Sequence, residues 1–114
     1  MSLFDRLLGR TREPVPMTLY TRADCSLCEV MKAEIAKAGL SRPYELNEVD
    51  VDSDRKLKKA FGASIPVLSI AGRVAFEGRL EVALLRAAFD VRAGEWERAQ
   101  TLAKALGQSS KSEA

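Results

Sequence analysis

Met17-Thr18-Leu19-Tyr20-Thr21-Arg22-Ala23-Asp24-Cys25-Ser26-Leu27-Cys28-Glu29-Val30-Met31 is the stretch in which the periodicity of the chain changes, and that change decides the fold. Met17 to Thr21 alternates and is rich in residues that suit a pleated surface, which predicts a first strand. Arg22, Ala23 and Asp24 make a tight connection. From Cys25 to Gly39 the apolar residues Leu27, Val30, Met31, Ile35 and Ala38 recur at helical spacing, and Gly39 is placed to end the helix. A strand therefore passes directly into a helix that opens with Cys25-Ser26-Leu27-Cys28.

That placement gives the cysteine pair its chemistry. Free backbone N–H groups and the positive end of the helix dipole stabilise a thiolate at Cys25, moving its pKa from about 8.5 toward about 7 or below. Cys25 is the candidate nucleophile. Cys28, one turn on, is placed to attack a mixed disulfide formed at Cys25 and is the candidate resolving thiol. Arg22 lies three residues before Cys25 and favours the thiolate, whereas Asp24 opposes it unless it caps the helix. From the motif alone two other readings stay open, half of a metal site or two packed cysteines. The chain has no histidine, which excludes His-based triads and His-containing zinc sites. Two cysteines cannot complete a four-thiolate zinc site within one chain, although a dimer can share them.

Beyond the first helix, Tyr44 to Asp50 predicts a second strand running into a turn, with Asp52 or Ser53 capping the helix after it. Arg55 to Phe61 sets Leu57, Ala60 and Phe61 against a face of Arg55, Lys56, Lys58 and Lys59, a short helix stopped by Gly62. Pro66 to Ile70 and Arg73 to Phe76, joined at Ala71-Gly72, predict a hairpin ended by Gly78. Ile65-Pro66 stands immediately before its first strand, where both a cis and an ordinary trans bond are open. Leu80 to Ala93 is an amphipathic helix expected to close at Gly94, with a separate helix over Glu95 to Leu106 and a loose tail from Gly107 to Ala114. Residues 1–12, with Leu3, Phe4, Leu7 and Leu8, read as a short amphipathic turn or two before a Pro14-Val15-Pro16 break. The order strand, helix, strand, helix, hairpin, helix predicts a mixed four-stranded sheet flanked by helices, an α/β fold.

A chain of 114 residues suits one domain, and 46% hydrophobic with 30% charged residues is an ordinary globular composition. The net charge of +2 comes from 18 basic and 16 acidic residues that are interspersed, so no basic face for nucleic acid is expected. No apolar run is long enough for a membrane span, and Asp5 and Arg6 interrupt the apolar start, so no secretory signal is expected. With both cysteines in one short motif, a reducing cytoplasm is the expected setting.

Thr18-Leu19-Tyr20-Thr21, then Cys25-Ser26-Leu27-Cys28, then Val49-Asp50-Val51-Asp52, then Ser64-Ile65-Pro66-Val67 occur in an order and spacing that resembles a glutaredoxin-like protein of the thioredoxin superfamily. The resemblance covers roughly residues 17–90. It implies a thioredoxin-like fold, with the stretch after Gly94 as an extra C-terminal helix. The chain then divides into an N-terminal extension over residues 1–14, a glutaredoxin-like domain over 15–94, and a C-terminal helix and tail over 95–114. By the resemblance Cys25 and Cys28 match the active-site pair, Pro66 matches the cis-proline across the substrate groove, and Ile65 offers its backbone to an incoming peptide or glutathione strand. Arg22 matches the basic residue that glutaredoxins often carry ahead of the motif. The chain departs from the usual Cys-Pro-Tyr-Cys, and where glutaredoxins carry a glutathione-holding Gly-Gly turn it reads Glu77-Gly78-Arg79-Leu80-Glu81. It also lacks a thioredoxin's tryptophan and Gly-Pro. Trp96 lies in the C-terminal stretch, where it shares helical spacing with Ala99, Leu102, Ala103 and Leu106.

The expected activity is reduction of protein or small-molecule disulfides, with glutathione or a reductase as electron donor. The expected protein is a monomer that needs no added cofactor or metal and has no nucleic-acid or membrane partner. Two readings from other classes stand beside it. One is an iron–sulfur or metal carrier in which two chains share a cluster through Cys25, with a thiol such as glutathione completing the ligands. The other is a non-catalytic adaptor whose terminal helices bind a partner.

Overall fold

Strand β1 (Val15–Thr21) buries every second side chain: Val15, Met17 and Leu19 are fully covered, while Pro16, Thr18 and Tyr20 are half-covered. Alternation of this kind gives the strand two faces, and helices cover both. The computed structural model describes residues 13–107. After β1 come α1 (Ser26–Lys37), β2 (Tyr44–Asp50), a single 3₁₀ turn (Val51–Ser53), α2 (Arg55–Phe61), β3 (Val67–Ile70), β4 (Arg73–Glu77) and α3 (Val82–Ala105).

The sheet order is β2-β1-β3-β4, with β1 parallel to β2 and antiparallel to β3. In register, Val15 faces Tyr44 and Thr21 faces Asp50 across the parallel pair, and Tyr20 faces Val67 across the antiparallel one. β1 begins at Val15 rather than Met17, so the expected break at Pro14-Val15-Pro16 is instead the start of the strand. Val15 donates to the Pro43 carbonyl at 3.0 Å, and Pro16, which has no N–H, accepts from Ala71 at 2.8 Å. The proline therefore sits where only its carbonyl is needed.

The covered face of β1 meets α1 through Met31 and Ile35, and α3 through Leu85, Phe89 and Ala93, with Leu68 and Ile70 of β3 completing the core. Each large side chain buried there stabilises the fold by about 1.5–3 kcal/mol relative to exposure. Phe89 also meets the ring of Tyr44 edge-on, at 6.3 Å between centroids. On the opposite face Tyr20 stacks on Phe61 of α2 at 4.4 Å. β3 is buried along its whole length, and its turn into β4 places both Ala71 (φ 52°) and Gly72 (φ 87°) in the left-handed region, as a two-residue hairpin requires.

Two further local expectations are corrected. The cap of α2 is Asp54, whose carboxylate accepts from the Lys56 N–H at 2.8 Å, and neither Asp52 nor Ser53 serves. Those two residues belong to the 3₁₀ turn, where the Asp50 carboxylate accepts from the Asp52 N–H at 2.8 Å and the Ser53 hydroxyl donates to the Asp50 carbonyl at 2.6 Å. The second correction concerns the helices expected on either side of Gly94, which are one helix of 24 residues. Ala93 is buried and Trp96 packs on the core, so the apolar face continues through the glycine. Arg73 pairs with Glu95 at 2.6 Å and Arg42 with Glu97 at 2.9 Å, holding the second half of α3 to the body. Arg92, on the same helix, donates to the Arg73 and Val74 carbonyls of β4 at 2.8 and 2.9 Å. The expectations for residues 1–12 and for the tail after Gly107 lie outside the described residues. Among the described residues no helix is long and apolar enough to cross a membrane.

Candidate active site

Cys25 is the N-cap of α1: its backbone is extended, and its sulfur accepts the Cys28 N–H at 3.1 Å. One of the N–H groups that a helix leaves unsatisfied at its start is thus aimed at Sγ. The Glu29 N–H bonds the Cys25 carbonyl at 3.2 Å and closes the first turn. Cys25 and Cys28 form a disulfide, with Cα atoms 5.2 Å apart. The two sulfurs differ in access, because Cys25 is half-exposed whereas Cys28 is 0% exposed and lies on the core side of α1 with Met31 and Ile35. An incoming thiolate can reach only the Cys25 side of the bond.

The Ile65-Pro66 bond is cis. β3 is antiparallel to β1 and starts beside Tyr20, so Ile65 and Pro66 stand at the end of the sheet where β1 hands over to the cysteine helix. Pro66 is buried and its carbonyl accepts from Gly78 at 2.7 Å, which ties the loop after β4 to the same end. Ile65 remains half-exposed.

Arg22 occupies the connection itself. Its guanidinium is bidentate on the Asp52 carboxylate, at 2.8 and 3.0 Å, and donates a third bond to the Gly62 carbonyl at 3.2 Å. The hydrogen bond from Arg22 holds the Asp52 carboxyl below its ordinary range, aided by the charges of Arg22 and Lys58, and the Arg22 pKa is raised in return. Gly62 fits this junction because a Cβ there would stand 2.5 Å from the Lys58 carbonyl oxygen and 3.3 Å from an Arg22 nitrogen. Sequence reasoning singles out Arg22 but misses Asp52 and the part played by Gly62. Lys32, on the outer side of α1, bridges Glu29 at 3.2 Å and Glu48 of β2 at 3.3 Å, and those bonds raise its pKa.

A groove of about 520 Å³ between α1 and the start of α3 begins at Leu27 of the cysteine motif. Leu27, Val30 and Glu34 line it from α1, and Arg79, Glu81 and Leu84 from the far side. The sequence carries Leu27 within the motif, but nothing local links it to residues more than fifty positions later.

A mixed sheet of this order, with a half-exposed cysteine capping a helix at the end of the sheet where a cis-proline stands, defines a thioredoxin-fold protein with a redox-type dithiol. Residues 16–90 match the glutaredoxin-like domain family (DUF836), and the chain belongs to that family. Among solved structures it is similar to protein XcR50 from X. campestris, at 33% identity and a TM-score of 0.58, covering 66% of this chain and 96% of that one. Protein Ne2328 from Nitrosomonas europaea is similar at 24% identity and a TM-score of 0.59, over 68% of this chain and 94% of that one. A mutant thioredoxin from Halobacterium salinarum shares the fold at 18% identity and a TM-score of 0.53, over 70% of this chain and 75% of that one. Among curated proteins none matches.

Proposed function

We propose that the chain is a thiol–disulfide oxidoreductase that reduces disulfides of proteins or small molecules. The observation that carries this reading is the unequal access of the two sulfurs, half-exposed at Cys25 and buried at Cys28, with a helix N–H aimed at Cys25 Sγ. That N–H and the dipole of α1 favour a thiolate at Cys25. The reduced protein begins the cycle. The Cys25 thiolate attacks one sulfur of the substrate disulfide, forming a mixed disulfide and releasing the other substrate sulfur as a thiolate, which takes up a proton. Cys28 then loses its proton and attacks Cys25 Sγ, and the second substrate thiol leaves. Two electrons have passed to the substrate and the Cys25–Cys28 disulfide remains. Two equivalents of a small thiol such as glutathione, or one dithiol reductase, restore the pair by the reverse exchange. The cycle needs no metal, and a reducing compartment such as the cytoplasm suits it.

Ile65, beside the cis-proline, supplies backbone to the bound substrate strand in this reading. Arg22 ties the strand-to-helix connection to Asp52 and α2 and so holds Cys25 in place. The test is the reduction potential of the pair in a glutathione buffer, together with trapping by the Cys28→Ser variant. A reversible two-electron couple at about −180 to −270 mV, with substrate held on Cys25 of the variant, is the expected result. A pair that does not cycle would overturn the proposal.

A further inference from the structure

We infer that the groove that begins at Leu27 selects polypeptide disulfides carrying a large apolar residue next to the reacting cysteine and a basic residue a little beyond it. The inference rests on the dithiol reading above and names the substrate class within it. Leu27, Val30 and Leu84 are 38%, 53% and 56% exposed, and all three line the one groove. Single exposed apolar side chains call for no explanation, but three converging on a cavity of about 520 Å³ make a surface that gains from being covered. That volume lies within the roughly 300–1,000 Å³ typical of sites that enclose a ligand group. Met31, buried beneath, and half-buried Phe76 and Leu80 keep the floor apolar.

Position sets which part of a substrate reaches it. Leu27, the motif residue between the two cysteines, lines the groove, and in this inference the residue next to a substrate sulfur bonded to Cys25 lies over it. From Leu27 to Glu34 the helix rises about 10 Å, which about three extended residues span. The charged groups among the lining residues are the carboxylates of Glu34 and Glu81 and the guanidinium of Arg79, an excess of one negative charge. A Lys or Arg about three residues from the substrate cysteine therefore meets favourable charge after an apolar residue has filled the mouth. Glutathione is the opposite case, since it brings two carboxylates and no large apolar side chain.

The test uses the full chain and three disulfide probes: the symmetric disulfides of the peptides Cys-Leu-Gly-Lys and Cys-Leu-Gly-Glu, and glutathione disulfide. The wild type is expected to reduce the Lys peptide about tenfold faster than glutathione disulfide and about threefold faster than the Glu peptide. Leu84→Asp, an exposed change in the first turn of α3 where an acidic residue suits the helix, is expected to bring the Leu-containing probes down toward the glutathione rate. The double variant Glu34→Lys with Glu81→Lys is expected to reverse the order of the Lys and Glu peptides. Leu102→Asp, exposed far along the same helix, is expected to leave all the ratios unchanged. Equal wild-type rates for the three probes, or a preference that survives both groove variants, would overturn the inference while leaving the dithiol reading intact. A wild type that reduces none of them removes the dithiol reading and the inference with it.

Discussion

A guanidinium that bonds a carboxylate through two nitrogens and a carbonyl through a third, as Arg22 does with Asp52 and Gly62, fixes three segments of chain against one another. The first residue after β1 is thereby locked to the turn after β2 and to the end of α2. Both charged groups are partly open to solvent, so the value of the pair is in orientation more than in bulk stability. The pH dependence comes from Asp52, whose carboxyl is held below its ordinary 3.8 by the hydrogen bond from Arg22. The unfolded chain binds a proton there at higher pH than the native chain does. The stabilisation is therefore complete above that ordinary value and is lost as the pH falls through the lower native one. Asp52→Asn should lower stability at neutral pH and flatten the acid loss, and Arg22→Ala should do the same, with little added by combining them. Urea unfolding from about pH 7 to about pH 2 checks this, and parallel acid losses in wild type and variants would refute it. The cysteines are legible in the sequence because their signal is local, a motif at a change of period. Asp52 is not, because a single sequence does not show that Arg22 and a residue thirty positions later share a corner.

At the scale of elements, the most instructive case is α3. A glycine after an apolar run resembles a helix end, and Gly94 has that look in the sequence. The deciding information is the continued apolar face, Phe89, Ala93 and Trp96, together with ion pairs to β4 and the loop before β2 that no local window contains. Because Gly94 lies in mid-helix and a Cβ there would meet only an Arg98 nitrogen, at an ordinary 3.5 Å, Gly94→Ala should stabilise the protein by about 0.5–1 kcal/mol. A shift of the urea midpoint with an unchanged slope is the measurement, and destabilisation would contradict a continuous helix. The α2 cap shows the same limit, since Asp52, Ser53 and Asp54 are all good capping residues and only the preceding 3₁₀ turn selects the last. The hairpin at Ala71-Gly72, by contrast, is legible because its turn chemistry is contained within its own two residues.

For the molecule as a whole, the core is continuous from α1 through β1 and β3 to α3, and Phe89 lies in it with no exposed surface. Phe89→Ala should cost about 3–5 kcal/mol, a large part of the roughly 5–15 kcal/mol that holds a domain together. Trp96, the one tryptophan, packs on that core and reports the transition by fluorescence. A loss below about 1 kcal/mol would show that the helix is not anchored there. The order of elements along the chain and the mixed character of the sheet are readable because each element shows its own period, whereas the groove is not, being made where α1 and α3 come together. The ends of the sheet have one more consequence. Among the described residues β2 and β4 are its edge strands, and an open edge invites a neighbouring copy to add its own strand. On β4, Arg92 already occupies two main-chain carbonyls, and on β2 the exposed Glu45 and Asp50 set negative charge against negative charge in any two copies brought edge to edge. Each border thus carries a feature that discourages strand addition, a hydrogen-bond donor on one and like charge on the other.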